Sequence, residues 1–230
     1  MSDTPSPRSP EDEAAWGSAS PGETRWPAAS SILAVMVLQL LLPEKLTVGP
    51  WWMVPGVEAL VLAVLLVANP SKLDEESTIL RIVALGLTGI LISANSITLG
   101  LLIHHLLHEG DTTNGRTLIY SGGAVWFTAV AAFGILYWEL DRGGPVKRRT
   151  IDHAPPDFLF AQMGSPAVSP TPWSPHFFDY LYLSLTNSTA FSPTDALPLT
   201  LRAKFIMAVQ SIASLGTIVI VGARAVNILK

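Results

Sequence analysis

Few side chains in this 230-residue chain stand where they could do chemistry away from water. Glu58 is the one acid set inside an apolar run, about a turn and a half beyond Trp52. An ionisable group so placed is a functional candidate, because its charge is costly in hydrocarbon. Asn95 is the deepest strongly polar side chain of another run, and it shares a helical face with Thr88, Thr98, His105 and Glu109. Gln210, Ser214, Thr217 and Arg224 fall at i, i+4, i+7 and i+14, one face of a helix at 3.6 residues per turn. Such a face either lines an aqueous path or packs membrane helices together, and packing is its commoner use. Arg224 stands near the helix end, from which it can snorkel to lipid headgroups.

Other chemistries lack their residues. His104 and His108 have the i, i+4 spacing of a metal or haem pair. No third ligand follows at a suggestive spacing, although Glu109 and Asp111 are close, so neither metal nor cofactor is assigned. The absence of cysteine removes disulfides, thiolate metal sites and thiol nucleophiles. Gly-x-Ser-x-Gly, His-Glu-x-x-His and paired intramembrane aspartates are all missing, so no catalytic residue is assigned and no enzyme is expected. With 14 Lys+Arg against 18 Asp+Glu, the net charge of -4 argues against nucleic acid as a partner.

The elements that carry these residues follow from composition. Hydrophobic residues make up 49% of the chain and charged ones 14%, and the charges collect between long apolar runs. A run of about 20 apolar residues crosses a bilayer. The expected fold is all-α, a polytopic transmembrane bundle of five full spans plus one short helix that either re-enters or crosses. Residues 1–25 read as a polar, disordered tail, with no secretory signal before the first apolar run near Ala28. Residues 26–146 hold four spans, with Trp26, Trp51, Trp52 and Trp138 as interfacial anchors. Residues 147–175 form a Pro-rich polar loop without helical period, and 176–230 hold the short helix, a turn and the last span, which Thr200 caps. No internal repeat is evident.

The stretch from Ser184 to Thr200 resembles the pore loop of potassium channels, which runs from a short pore helix through a filter to a Pro-Leu-Thr entry into the inner helix. Thr189 falls near the filter-opening threonines, Asp195 matches the filter-ending aspartate, and Pro198-Leu199-Thr200 matches the entry. The resemblance therefore implies a filter region over Thr189, Ala190, Phe191, Ser192, Pro193, Thr194 and Asp195, beside the polar face of the last helix. Ser192, Pro193 and Thr194 replace the family's Gly-Tyr-Gly, so a potassium filter of standard geometry is not expected. Tyr137 to Pro145, Asp179 to Asp195 and Ala223 to Asn227 also resemble an uncharacterised family of bacterial membrane proteins, which carries no established activity.

Basic residues favour a cytoplasmic N-terminus whether or not the short helix crosses. The leading expectation is a multi-pass cell-membrane protein with a channel-like pore for inorganic cations, which requires a homo-oligomer. The alternative is a non-conducting scaffold or partner-binding subunit. Either way the lipid bilayer is the first partner, and the full chain is expected to remain in membranes washed with alkaline carbonate. Release into the wash, or a monodisperse protein without detergent, would overturn the class.

Overall fold

The computed structural model describes residues 23–47, 49–68, 78–108, 115–149, 154–164, 173–189 and 196–228. Within them run α1 (Trp26–Leu40), α2 (Met53–Ala68), α3 (Thr78–His108), α4 (Gly115–Leu140), α5 (Phe177–Thr189) and α6 (Leu201–Ile228). Two short strands, β1 (Phe158–Phe160) and β2 (Ala196–Pro198), and a single helical turn at Ala161–Gly164 complete the frame. The helical class read from the sequence is therefore present, with one small antiparallel ribbon added to it.

The number of full spans is corrected. Among the described residues three helices are long and apolar enough to cross a membrane: Thr78–Leu106, Arg116–Gly143 and Leu201–Ala223. The first two helices have 15 and 16 residues. At 1.5 Å per residue they reach only about 22–24 Å, short of a hydrocarbon core of about 30 Å. The apolar run of α1 is cut by Pro43, and that of α2 begins only after Gly49-Pro50.

Helices α1, α2, α3, α4 and α6 nevertheless lie side by side and alternate in direction. At the end where α4 finishes, Arg25 before α1 meets Glu139 at 3.5 Å, and Arg202 of α6 donates to the Leu140 carbonyl at 3.3 Å. At the opposite end a His105 ring nitrogen of α3 lies 3.2 Å from the Lys45 carbonyl in the α1–α2 turn, and Val221 of α6 covers Gly122. Helix α4 is the axle, in contact with α1, α3, α5 and α6. Of its best spanning window 61% is buried, against 28% for α3 and 22% for α6. Its sequence explains this. Ser121, Gly122, Ala124, Ala129, Ala132 and Gly134 are small, and small residues let helix backbones approach where lipid supplies no hydrophobic drive.

Helix α5 packs chiefly against α4. It starts beside the C-terminal end of α4, where the Tyr180 hydroxyl donates to Asp141 at 2.6 Å, and it runs back along α4. There Ser184 donates to the Val130 carbonyl at 2.7 Å. The chain reappears in β2, which pairs with β1 in the register Phe158↔Pro198, Leu159↔Leu197 and Phe160↔Ala196. The Asp157 N–H, one residue before β1, donates to Asp141 at 2.7 Å. The start of α5 and strand β2 thus lie at the same end of the bundle.

The stretch expected to be a structureless loop is partly ordered. Phe158, Phe160 and Met163 are buried in the main core, where Phe158 lies 5.1 Å from Tyr137 and Phe160 5.4 Å from Tyr180 between ring centroids. Phe158-Leu159-Phe160 is a period of two, too short to register in a search for helices. The polar tail, expected to reach residue 25, also gives up its last residues to the fold: Glu23 is buried and accepts a hydrogen bond from the Trp138 indole at 2.5 Å.

At Gly134 the α5 backbone comes so close that a Cβ would stand 3.1 Å from the Leu181 Cα. Gly134→Leu is therefore expected to lower the melting temperature of the detergent-solubilised protein by several degrees, as overpacking costs about 1–3 kcal/mol. Gly86→Leu, at an exposed position with open space around it, is the control expected to melt like the wild type.

Candidate functional site

The polar groups gather in three places, two of them on α5. The first surrounds the corner after α4. Leu140 hands over to a tight turn in which Arg142 (φ 52°), Gly143 (φ 87°) and Gly144 (φ 102°) all take positive φ. Glycine adopts such angles freely, whereas Arg142 does so at a cost of order 1 kcal/mol or more. What holds it is a dense set of contacts. Asp141 is fully buried; one carboxylate oxygen accepts from the Asp157 N–H at 2.7 Å and the other from Tyr180 at 2.6 Å. Arg142 Nε lies 3.5 Å from Asp141, and Arg142 Nη2 lies 3.5 Å from the Met163 sulfur. Arg148 Nη1 donates to the carbonyls of Trp138 (2.6 Å) and Asp141 (3.1 Å), so a cation closes the C-terminal end of α4. The same guanidinium lies over the rings of Tyr180 and Trp138, at 5.0 and 5.9 Å. Asp157 then pairs with Arg202 and accepts from Thr200 at 2.5 Å, while Thr200 caps α6 by accepting the Ala203 N–H at 3.3 Å. Buried charges need partners and hydrogen bonds. The Asp141 and Asp157 carboxylates have them, joining α4, α5, α6 and the loop, whereas Arg142 Nε and Nη1 and Arg148 Nε and Nη2 are buried without a hydrogen-bond partner.

The second place is mid-depth, on the polar face of α6. Gln210 is fully buried. Its Nε2 donates to Ser184 Oγ and Ser188 Oγ, both at 2.7 Å, and lies 3.0 Å from the Ser184 carbonyl. Its Oε1 accepts from Tyr137 and, at 2.9 Å, from Asn187. Asn187 also donates to the Met207 carbonyl at 3.0 Å and accepts from Ser211 at 3.1 Å. Ser214 and Thr217 continue the buried face, Ser214 Oγ without a hydrogen-bond partner and Thr217 bonded to the Ala213 carbonyl at 2.8 Å. This face turns toward α4 and α5. The apolar face of α6, with Phe205, Ile212 and Val219, is exposed. Arg224 lies on α6, and its side chain is outside the described residues.

The third place lies at the far end of the bundle. Glu58 of α2 is fully buried and accepts from Gln39 Nε2 of α1 at 3.0 Å. Asn95 of α3 is half-buried and lines a small cavity with Gln39, Thr98 and Thr128. Of the filter region implied by the pore-loop resemblance, Thr189 is the exposed last residue of α5, bonded to the Leu185 carbonyl at 3.0 Å. Ala190, Phe191, Ser192, Pro193, Thr194 and Asp195 lie outside the described residues. His104 is exposed, and the His108 side chain is outside the described residues; among those residues no group of three or more His, Asp or Glu is placed to hold a metal.

Several partners escaped the sequence reading. Ser184, Asn187 and Ser188 sit at i, i+3 and i+4 in an apolar-aromatic helix, a signal of an inward polar face that was available. Gln39, a lone amide in the run Val35 to Leu42, was equally visible. Asp157 and Glu23 carried no such signal, since they stand in polar segments where acids are ordinary.

Gln210→Leu would strand the hydroxyl, amide and serine groups now bonded to it. A loss of about 1–3 kcal/mol is expected, read as a lower melting temperature in detergent. Ser214→Ala removes a buried hydroxyl that has no partner, and the melting temperature is expected to hold or rise. The opposite ordering of the two variants would show that the α6 polar face is wet and does not pack.

Among known proteins, no family model, no curated protein and no solved structure matches the chain.

Proposed function

We propose that this protein is a multi-pass membrane protein in which the hairpin from residue 173 to Thr200 forms a half-depth re-entrant element of a channel-like pore. The observation that carries this reading is the return of the chain. Helix α5 begins on Asp141, and β2 is back beside Asp141 through β1 and Asp157. A short helix entering between long ones, then an extended return into a capped inner helix, is the plan of a pore loop. The connecting residues 190–195 are those that the sequence resemblance assigns to the filter.

Orientation follows from charge. Arg25, Arg81, Arg142, Lys147, Arg148, Arg202 and Lys204 belong to the Leu140 end of the bundle, whereas Lys45 and Arg116 belong to the other. The positive-inside tendency makes the Leu140 end cytoplasmic, so the hairpin opens from the cytoplasm, the reverse of a potassium-channel pore loop. A conducting path needs several copies around an axis. The exposed apolar face of α6 beside the exposed Thr189 is the surface on which copies would meet, and the permeant species would be small inorganic cations.

A second reading has its own support. The hydrogen bonds around Gln210 are mutual and closed, as in a packing device, which suits a non-conducting scaffold. Single cysteines at Ser165, Thr194 and Lys230, labelled in oriented vesicles, test the hairpin: Ser165 and Thr194 are expected to react from one side and Lys230 from the other. Conduction is tested separately by cation flux in proteoliposomes, where Asp195→Asn is expected to change rate or selectivity. Flux that is absent in every common cation gradient favours the scaffold, and Thr194 labelling opposite Ser165 removes the hairpin.

A further inference from the structure

Glu58 and Gln39 present an unbalanced pair. One hydrogen bond joins them, from Gln39 Nε2 to Glu58 Oε1 at 3.0 Å. The remaining oxygen of each, Glu58 Oε2 and Gln39 Oε1, is buried and has no hydrogen-bond partner. Glu58 is 0% exposed and Gln39 8%. Both orphan atoms are acceptors, so each can be satisfied only by an added hydrogen-bond donor or a cation. No ion pair to Glu58 occurs among the described residues. A carboxylate left charged in such surroundings would carry a desolvation cost of several kcal/mol.

A small cavity adjoins the Gln39 side of the pair. It measures about 30 Å³, room for one water or one dehydrated monovalent ion, and is lined by Gln39, Asn95, Thr98 and Thr128. Its wall also includes Pro50 and Trp51, which are exposed in the α1–α2 turn, so it links the buried amide to the surface at the Gly115 end. The elements around it present amide and hydroxyl oxygens: Gln39 from α1, Asn95 and Thr98 from α3, Thr128 from α4. At the same end of the bundle, His105 is engaged by the Lys45 carbonyl. Carboxylate, amide and hydroxyl oxygens are the hard donors that protons and alkali ions share, while soft metals prefer sulfur and imidazole.

We infer that Glu58 and Gln39 form a binding site for one small monovalent cation, a proton or an alkali ion, that enters through the cavity beneath Trp51. With a proton, Glu58 Oε2–H faces Gln39 Oε1 and the two side chains close into a carboxylic acid–amide pair. With an alkali ion, the two orphan oxygens coordinate it in the proton's place. This site is separate from the α5 hairpin, so a failed flux or labelling result there leaves it standing.

The test uses the full chain in lipid vesicles and dicyclohexylcarbodiimide, an apolar reagent that adds to protonated carboxyls in apolar surroundings. The carboxyl proton passes to a carbodiimide nitrogen, the oxygen bonds to the central carbon, and rearrangement leaves a stable N-acylurea that mass spectrometry finds on Glu58. The expected result is an adduct on Glu58. Slowing several-fold by sodium chloride, but not by choline chloride, identifies an alkali occupant; equal rates in sodium, lithium, potassium and choline identify the proton. A second readout is the melting temperature of the protein in detergent, expected to respond to pH or sodium in the wild type and to lose that response in Glu58→Gln. Absence of both the adduct and a Glu58-dependent response overturns the site.

Discussion

The carboxylate of Asp141 is where three distant parts of the chain are made to agree. One oxygen holds the backbone just before β1, the other holds Tyr180 at the start of α5, and the residue itself closes α4. A buried carboxylate without donors is expensive, so once Asp141 is withdrawn from water the loop and α5 must come to it. Arg142 supplies the counter-charge to Asp141, and Arg148 donates to the Trp138 carbonyl in the last turn of α4 and to the Asp141 carbonyl, which also accepts from the Gly144 N–H. The strained turn at Arg142 to Gly144 is tolerated because these contacts over-determine it.

From that corner the rest of the bundle follows. Helix α5 can lie along α4 only because Gly134 lets the backbones touch, and it stays there because Gln210 reaches across from α6 to Ser184, Asn187 and Ser188. In lipid the hydrophobic effect does not drive helices together, and single interhelical hydrogen bonds average only about 0.6 kcal/mol. Close packing and several shared bonds at one residue must therefore act together. The cost of the arrangement is local: any polar atom not included, such as Ser214 Oγ, has no second chance of a partner.

Much of this was legible beforehand at the level of elements. The positions of all six helices follow from the apolar runs and the Pro-Gly breaks, and Thr200 as the cap of α6 follows from its place after Pro198. What is corrected for α1 and α2 is their count as full spans, because helices of 15 and 16 residues fall short of the hydrocarbon core. The ribbon of β1 and β2 was not legible at all. Three residues of alternation acquire meaning only when a second segment is present to pair with them.

For the candidate sites the division is sharper. That Glu58, Asn95 and Gln210 need partners could be read directly, since a lone polar group in an apolar run has few ways to be satisfied. Which partners they take was decided by the tertiary fold: Gln39 lies 19 positions from Glu58, and Tyr137 lies 73 from Gln210. The amino-acid sequence by itself determined which segments avoid water and which side chains would be in difficulty there. Only the folded chain decided that the segment after α4 turns back to Asp141, because that outcome depends on hydrogen-bonding geometry between segments whose separation along the chain carries no period.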